Sequence, residues 1–252
     1  MDAVVAGIGA AAATFGGGLA GIALHRVLPD RVTDGALRDM TGAVGGLLTL
    51  LTALVLGLLI WSAYGVYAGQ VVAVRSLATQ FLQFDAALAD YGPETAAGRI
   101  HLKDDVTRML TEIWGDDKGF IRRNYGSLNV NLHAREAYLR TLHPSDEHQK
   151  QTLAAATDSA KDIARTRLQM AVALTDPVSV PLVDIVVAWA VCIFMGFGFM
   201  HAKTLDALAA LAIGAIAIAT AVYLLIDLCH PYTGLFQVSP RPIQEILTLM
   251  DR

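Results

Sequence analysis

The side chains that could do chemistry are sparse in this chain, and each group of them has a plain structural reading beside the chemical one. His143, Glu147 and His148 are close enough in sequence to reach one metal ion, since imidazole and carboxylate are ordinary ligands. The same spacing is equally that of an exposed, polar helix start. Gly7-Ile8-Gly9-Ala10-Ala11-Ala12 has glycines spaced like a dinucleotide-binding turn. Phosphate binding there needs a strand before and a helix after, whereas these glycines lie inside an apolar run. No G-x-S-x-G, H-E-x-x-H, C-x-x-C or P-loop pattern occurs. No nucleophile, base and oxyanion donor come together either. The expectation is a protein that is not an enzyme and that carries no metal or cofactor.

Acidic residues in apolar surroundings are the other chemical candidates. Asp184 and Asp227 close apolar stretches at the end nearest a polar insert. Asp206 lies at the opposite end with His201, Lys203, His25 and Arg26. All three are terminal rather than central, so snorkelling or pairing would satisfy them, and Arg165 or Arg167 would approach the same surface as Asp227. Cys192 and Cys229 fall at different depths, too far apart in that arrangement for a disulfide, and read as small packing residues.

The elements that must position these groups follow from where charge is missing. The 252 residues are 54% hydrophobic and only 17% charged, with a mean hydropathy of +0.48; soluble chains carry about 25% charged residues. None of the nineteen Lys and Arg falls within 3–24, 43–68, 181–200 or 207–226. Each stretch is long enough to cross a roughly 30 Å hydrocarbon core as a helix. The amino terminus lacks the basic region of a secretory signal, so its apolar run reads as the first span. The fold class is therefore all-α: a polytopic, multi-pass membrane protein with four transmembrane helices in a lipid bilayer. A net charge of −4 leaves no basic patch for nucleic acid.

The chain divides into spans 1 and 2 (1–69), an extramembrane helical insert (70–180), a helical hairpin of spans 3 and 4 (181–229) and a C-terminal tail (230–252). Four crossings place both termini and the insert on one side. The insert holds thirteen Lys and Arg against fourteen Asp and Glu, a solvated surface rather than a binding stripe. Val74, Leu77, Leu82, Phe84 and Leu88 continue span 2 as a helix. Pro93 opens a second helix through Ile100, Val106, Leu110 and Ile113. Gly115, Gly119, Asn124, Gly126 and Asn131 mark a loop-rich break. Pro144-Ser145-Asp146-Glu147 caps a long helix running to about Leu174. Pro177 and Pro181 precede span 3.

Small residues recur every four positions in the spans: Gly9, Ala13, Gly17 and Gly21; Gly45, Thr49, Ala53 and Gly57; Ala188, Cys192 and Gly196. Such faces let helices approach closely in lipid, either between copies around a pore or within one subunit. Around span 2, Gly45, Thr49, Thr52, Leu56, Leu59, Ala63 and Tyr67 fall on one side. Leu47, Leu51, Leu54, Leu58 and Trp61 fall on the other. The threonine side is the candidate pore lining, with Leu56 and Leu59 as an apolar constriction that gates by dewetting. The competing reading buries that side and bonds its threonines to their own backbone.

The segment after span 4 carries a more specific pattern. Asp227-Leu-Cys-His-Pro231-Tyr232-Thr-Gly234, followed by Val238-Ser239-Pro240-Arg-Pro242-Ile243, resembles the close of the bacterial bestrophin-like domain family. Asp227, Pro231, Tyr232, Gly234, Val238 and Pro242 carry that resemblance. His25-Arg26-Val-Leu-Pro29 after span 1, and Arg165-Thr-Arg167 followed by Pro181-Leu182, are similar to further landmarks of the family. The two-plus-two arrangement of spans around a helical insert extends the likeness over the whole chain.

The family is named for its similarity to bestrophins, pentameric anion channels with four spans per subunit, span 2 lining the pore and a P-F motif after span 4. The resemblance implies a homo-oligomer, a pentamer, in the cell (inner) membrane, conducting inorganic anions such as chloride along span 2. The sequence departs from the bestrophin pattern in two places. Trp61-Ser-Ala-Tyr64 stands in place of R-W-W, and Thr233-Gly-Leu in place of the acidic cluster that follows P-F, so calcium binding of that kind is not expected. The resemblance puts the insert in the cytoplasm. Arg26, Arg31 and Arg38 after span 1 favour the reverse by the positive-inside rule. The alternative from another class is a non-conducting scaffold or sensor whose insert binds a protein partner, with an enzyme third.

Overall fold

Helix accounts for nearly all of the described chain, because the charge-free stretches must satisfy every backbone amide internally to enter lipid. The computed structural model describes residues 3–27, 35–115, 135–175, 179–200 and 205–250. In chain order the helices are α1 (Ala3–Val27), α2 (Gly35–Tyr91), α3 (Ala96–Trp114), α4 (Glu147–Ala173), α5 (Val180–Met200), α6 (Leu205–Leu228) and α7 (Arg241–Met250). A 3₁₀ turn spans Pro93–Thr95, and 135–140 is also helical. No strand occurs among the described residues. Four of the helices, α1, α2, α5 and α6, are long and apolar enough to cross a membrane. The protein is an all-α, multi-pass membrane protein in contact with the bilayer. Pro29, the break over 116–134, Pro177, His201 and Lys203 lie outside the described residues.

The chain separates into two compact units, 1–65 with 177–230 and 66–176 with 231–252. In the first, α1 packs along α5 and α6 through its small residues. Gly7, Ala10, Thr14, Gly17, Gly18 and Gly21 are buried. A Cβ on Gly17 would meet Val191 Cγ1 at 2.8 Å, one on Gly21 the Met195 carbonyl, and one on Gly198 the Gly18 carbonyl. Two backbones are therefore in near contact, which is how helices associate where lipid removes the hydrophobic drive. For Gly17 and Gly21 the small-residue stripe of span 1 works inside one subunit. Gly9 and Ala13 are exposed on the same helix. The stripes of spans 2 and 3 behave differently. A Cβ on Gly45, Gly57 or Gly196 would meet nothing within 4 Å, and Thr49, Ala53, Ala188 and Cys192 are exposed.

In the second unit, α2 continues beyond its apolar stretch as one unbroken helix. Val74, Leu77, Ala78, Phe81, Phe84 and Leu88 form its core face, packed with Val106 and Met109 of α3, Ile163 of α4 and Ile243 of α7. Leu82 and Ile100, expected on such faces, are exposed. Gly92 ends the helix at φ 136°, a conformation open to glycine, and Pro93 starts the next turn. Thr95 Oγ1 donates to Leu88 O and, at 2.8 Å, to Gly92 O. The Asp85 carboxylate accepts from Arg99 Nε and Nη2 at 2.8 Å each, a bidentate pair tying α2 to α3. Helix α4 begins after Asp146, whose side chain accepts from Gln149 N at 2.7 Å, and Gln149 Nε2 reaches back to Tyr91 O at 3.1 Å. The tail holds a helix that the sequence reading did not include. In α7, Ile243, Ile246 and Met250 are buried, at the spacing of one helical face, behind a proline in its first turn.

The seven candidate pore-lining residues of span 2 differ in how far their own chain covers them. Thr52 is 5% exposed, Leu59 8% and Ala63 0%, while Gly45, Leu56 and Tyr67 are half-buried and Thr49 is exposed. Thr52 Oγ1 donates to Leu48 O at 2.7 Å and Thr49 Oγ1 to Gly45 O at 2.8 Å. A side chain that fills the protein interior does not face a water column, and a hydroxyl bonded to its own helix needs no water. The leucine side, with Leu47, Leu51, Leu54, Leu58 and Trp61, is exposed.

Gly21→Leu should prevent α1 from closing on α5 and destabilise the protein by at least ~1–3 kcal/mol, the usual cost of overpacking, while Gly57→Ala should leave stability unchanged. Thermal unfolding in detergent followed by tryptophan fluorescence measures both.

Candidate functional site around Gln70 and Tyr232

Gln70 lies where α2 leaves its apolar stretch, and it is 1% exposed. A buried carboxamide must find both a donor and an acceptor. Gln70 Nε2 donates to the Met170 carbonyl of α4 at 3.1 Å, and Gln70 Oε1 accepts from the Tyr232 hydroxyl at 2.7 Å. Its partners lie 100 and 162 positions away in sequence, so one side chain fastens α2, α4 and the tail together.

The tail is shaped to deliver Tyr232. Residues 231–234 form a turn, closed by Val238 N donating to Pro231 O at 2.8 Å. Trp114, the last residue of α3, donates from Nε1 to Val238 O at 2.7 Å. Its ring stands edge-on to Tyr232 with centroids 5.6 Å apart, a favoured aromatic geometry. Burial pushes the Tyr232 hydroxyl well above the usual phenol range, so it stays a neutral donor at any physiological pH. Pro231 and Val238 are buried, Gly234 is half-buried in the turn and Pro242 half-buried in the first turn of α7. The motif residues Pro231, Tyr232, Gly234, Val238 and Pro242 thus build one structural clasp.

Asp227, the remaining motif residue, is 2% exposed in α6 and lies near Tyr223 one turn earlier. Its backbone carbonyl accepts from His230 N at 3.0 Å. His230 Nδ1 lies 2.8 Å from Ile226 O, the geometry of an Nδ1–H tautomer donating to it. Asp184 and Asp206 are exposed. Of the two arginines considered for Asp227, Arg165 is exposed and Arg167 lies in the electrostatic field of Arg135, Glu112 and Asp105. Cys192 is exposed and Cys229 buried, both as free thiols; burial pushes the Cys229 thiol up to about 11, which keeps it protonated and unreactive. At the candidate metal cluster, Glu147 bonds Lys150 at 3.1 Å and His148 Nε2 lies 3.3 Å from Asp90, contacts of an exposed helix start.

The sequence pattern singled out Tyr232 but not its partner. Gln70 is a lone polar residue at the end of an apolar run, with no periodic signal around it. Its significance comes only from groups far away in sequence.

Tyr232→Phe leaves Gln70 Oε1 buried without a donor and should cost about 1–3 kcal/mol. Combined with Gln70→Leu, the loss should be clearly less than the sum of the single losses; unfolding in detergent reads the difference, and full additivity would show that the two side chains act separately.

No curated protein and no solved structure matches this chain. The sequence pattern of the bestrophin-like domain family matches residues 12–243, a range that takes in the second half of α1, the other three membrane helices, the insert and the Pro231–Tyr232 clasp, and the chain belongs to that family.

Proposed function

We propose that the protein is a homo-oligomeric ion channel of the cell (inner) membrane, with α2 beside the shared axis and chloride or similar small anions as the permeant ions. It acts by conduction and not as an enzyme. The single observation that carries the reading is how little of α2 its own chain covers. Its most apolar window is 11% buried, against 22% for α1, 28% for α5 and 22% for α6. Family membership adds a relation to bestrophins, whose channels are pentamers, and a pentamer is the proposed assembly here.

The uncovered surface of α2 has two sectors. Leu47, Leu54 and Leu58 are bulky and suit lipid tails. Thr49, Ala53 and Gly57 recur every four residues, are exposed, and leave room beside the backbone for a partner helix or a water column. The pore lining is proposed for this second sector, so of the seven residues first considered Thr49 is kept. Leu50 and Ile60 flank it and supply apolar side chains for a constriction. Ala188, Cys192 and Gly196 on α5 offer a second open stripe for close contact between copies.

In liposomes with separate chloride and potassium gradients, Ala53→Lys should change the chloride-to-potassium flux ratio several-fold by placing a cation at the pore wall. Leu47→Ala, on the lipid sector, should stay near wild type. Thr52→Lys should lower the yield of folded protein, because it buries a charge without a partner. Equal effects of Ala53→Lys and Leu47→Ala on flux would sink the sector assignment. An intact oligomer carrying neither ion would favour a scaffold or sensor.

A further inference from the structure

Two arginines of the second unit are buried, and among the described residues most of their hydrogen-bonding capacity is unused. Arg135 and Arg167 are each 8% exposed. Arg135 donates from Nη2 to Asp105 at 3.2 Å and lies over the Phe81 ring, 5.7 Å from its centroid. Its Nε is buried with no partner. Arg167, on α4 beside Thr166, makes no hydrogen bond or ion pair among the described residues. The two guanidiniums repel each other, and burial together with that repulsion brings Arg167 down to about 10 against the attraction of Glu112 and Asp105. It is therefore still a cation at neutral pH.

Removing a cation from water costs several kcal/mol unless something pairs with it. Here the nearby carboxylates do not complete the pairing. Asp105 is engaged by Arg135, and Glu112 attracts Arg167 without bonding to it. Arg167 retains five N–H donors in a planar fork, and Arg135 adds the unused Nε. Guanidinium donors match the oxygens of a carboxylate or phosphate in bidentate fashion.

We propose that Arg135 and Arg167 form a binding site for a small oxyanion, a phosphate or a carboxylate, inside the helical unit. The site lies on α4 and on the helical segment after residue 134, and faces Asp105 and Glu112 of α3. Its ligand restores the missing half of a buried ion pair, so occupancy stabilises the unit.

The test uses the full-length chain purified in detergent. Thermal unfolding is followed against inorganic phosphate, acetate and chloride at matched ionic strength. The expected result is a saturable rise in Tm with phosphate or acetate beyond that with chloride. Arg167→Gln should weaken the response about tenfold or more, whereas Arg75→Gln, at an exposed position, should keep it. Which oxyanion acts at the lower concentration identifies the class. Equilibrium dialysis of labelled phosphate and acetate against the wild-type chain is the companion measurement, independent of whether the variants fold. No saturable binding of either oxyanion, a response equal to chloride, or an unchanged response in Arg167→Gln would overturn the proposal.

Discussion

A carboxamide withdrawn from water must be met by a donor and an acceptor, and much of the second unit is arranged around meeting Gln70. Its amide nitrogen is taken by the Met170 carbonyl and its oxygen by the Tyr232 hydroxyl. Tyr232 can arrive only if the chain after α6 turns at Pro231, closes through Val238 and rests on Trp114. The family motif is therefore a device for polar satisfaction around a helix, not a set of reactive groups. Apart from Asp227, which lies within α6, each residue either shapes the turn, fills the space beneath it or supplies the hydroxyl. The Asp85–Arg99 pair serves α2 in the same way further along.

The membrane unit is held by a different force. Lipid tails offer apolar contact to any helix, so the spans associate where backbones come close enough for dispersion to add up. That is the part played by Gly17, Gly21 and Gly198, where even one methyl group would collide with a neighbouring backbone. The residue α2 commits to its own chain is a narrow strip through Thr52, Leu59 and Ala63. The rest of its circumference is left for lipid, for other copies or for water. An apolar helix so little covered by its own chain is what a subunit of a ring would present before assembly, and this links the packing to the channel reading.

How far the sequence carried these features depended on how local their signals are. The spans were visible because a missing charge over twenty residues has one cheap explanation. The start of α4 was visible in Asp146, whose cap needs only the next three residues. The oxygen-bearing side of span 2 had two readings in the sequence, because a threonine hydroxyl can bond the carbonyl four residues back and so does not report water. Helix α7 was passed over because ten residues behind a proline give too short a periodic run, although Ile243, Ile246 and Met250 mark its face. Gln70, Arg135 and Arg167 were not legible as a group at all. Their meaning lies in partners, or missing partners, that only the folded chain brings near.

Conduction by an assembled ring is read from ion flux through the wild-type protein in liposomes, paired with the mass of the same preparation in detergent. The expected result is chloride flux exceeding potassium flux from an oligomer the size of a pentamer. Absence of flux for both ions from an oligomer of that mass, or a protein that is monomeric in detergent and in the bilayer, would contradict it.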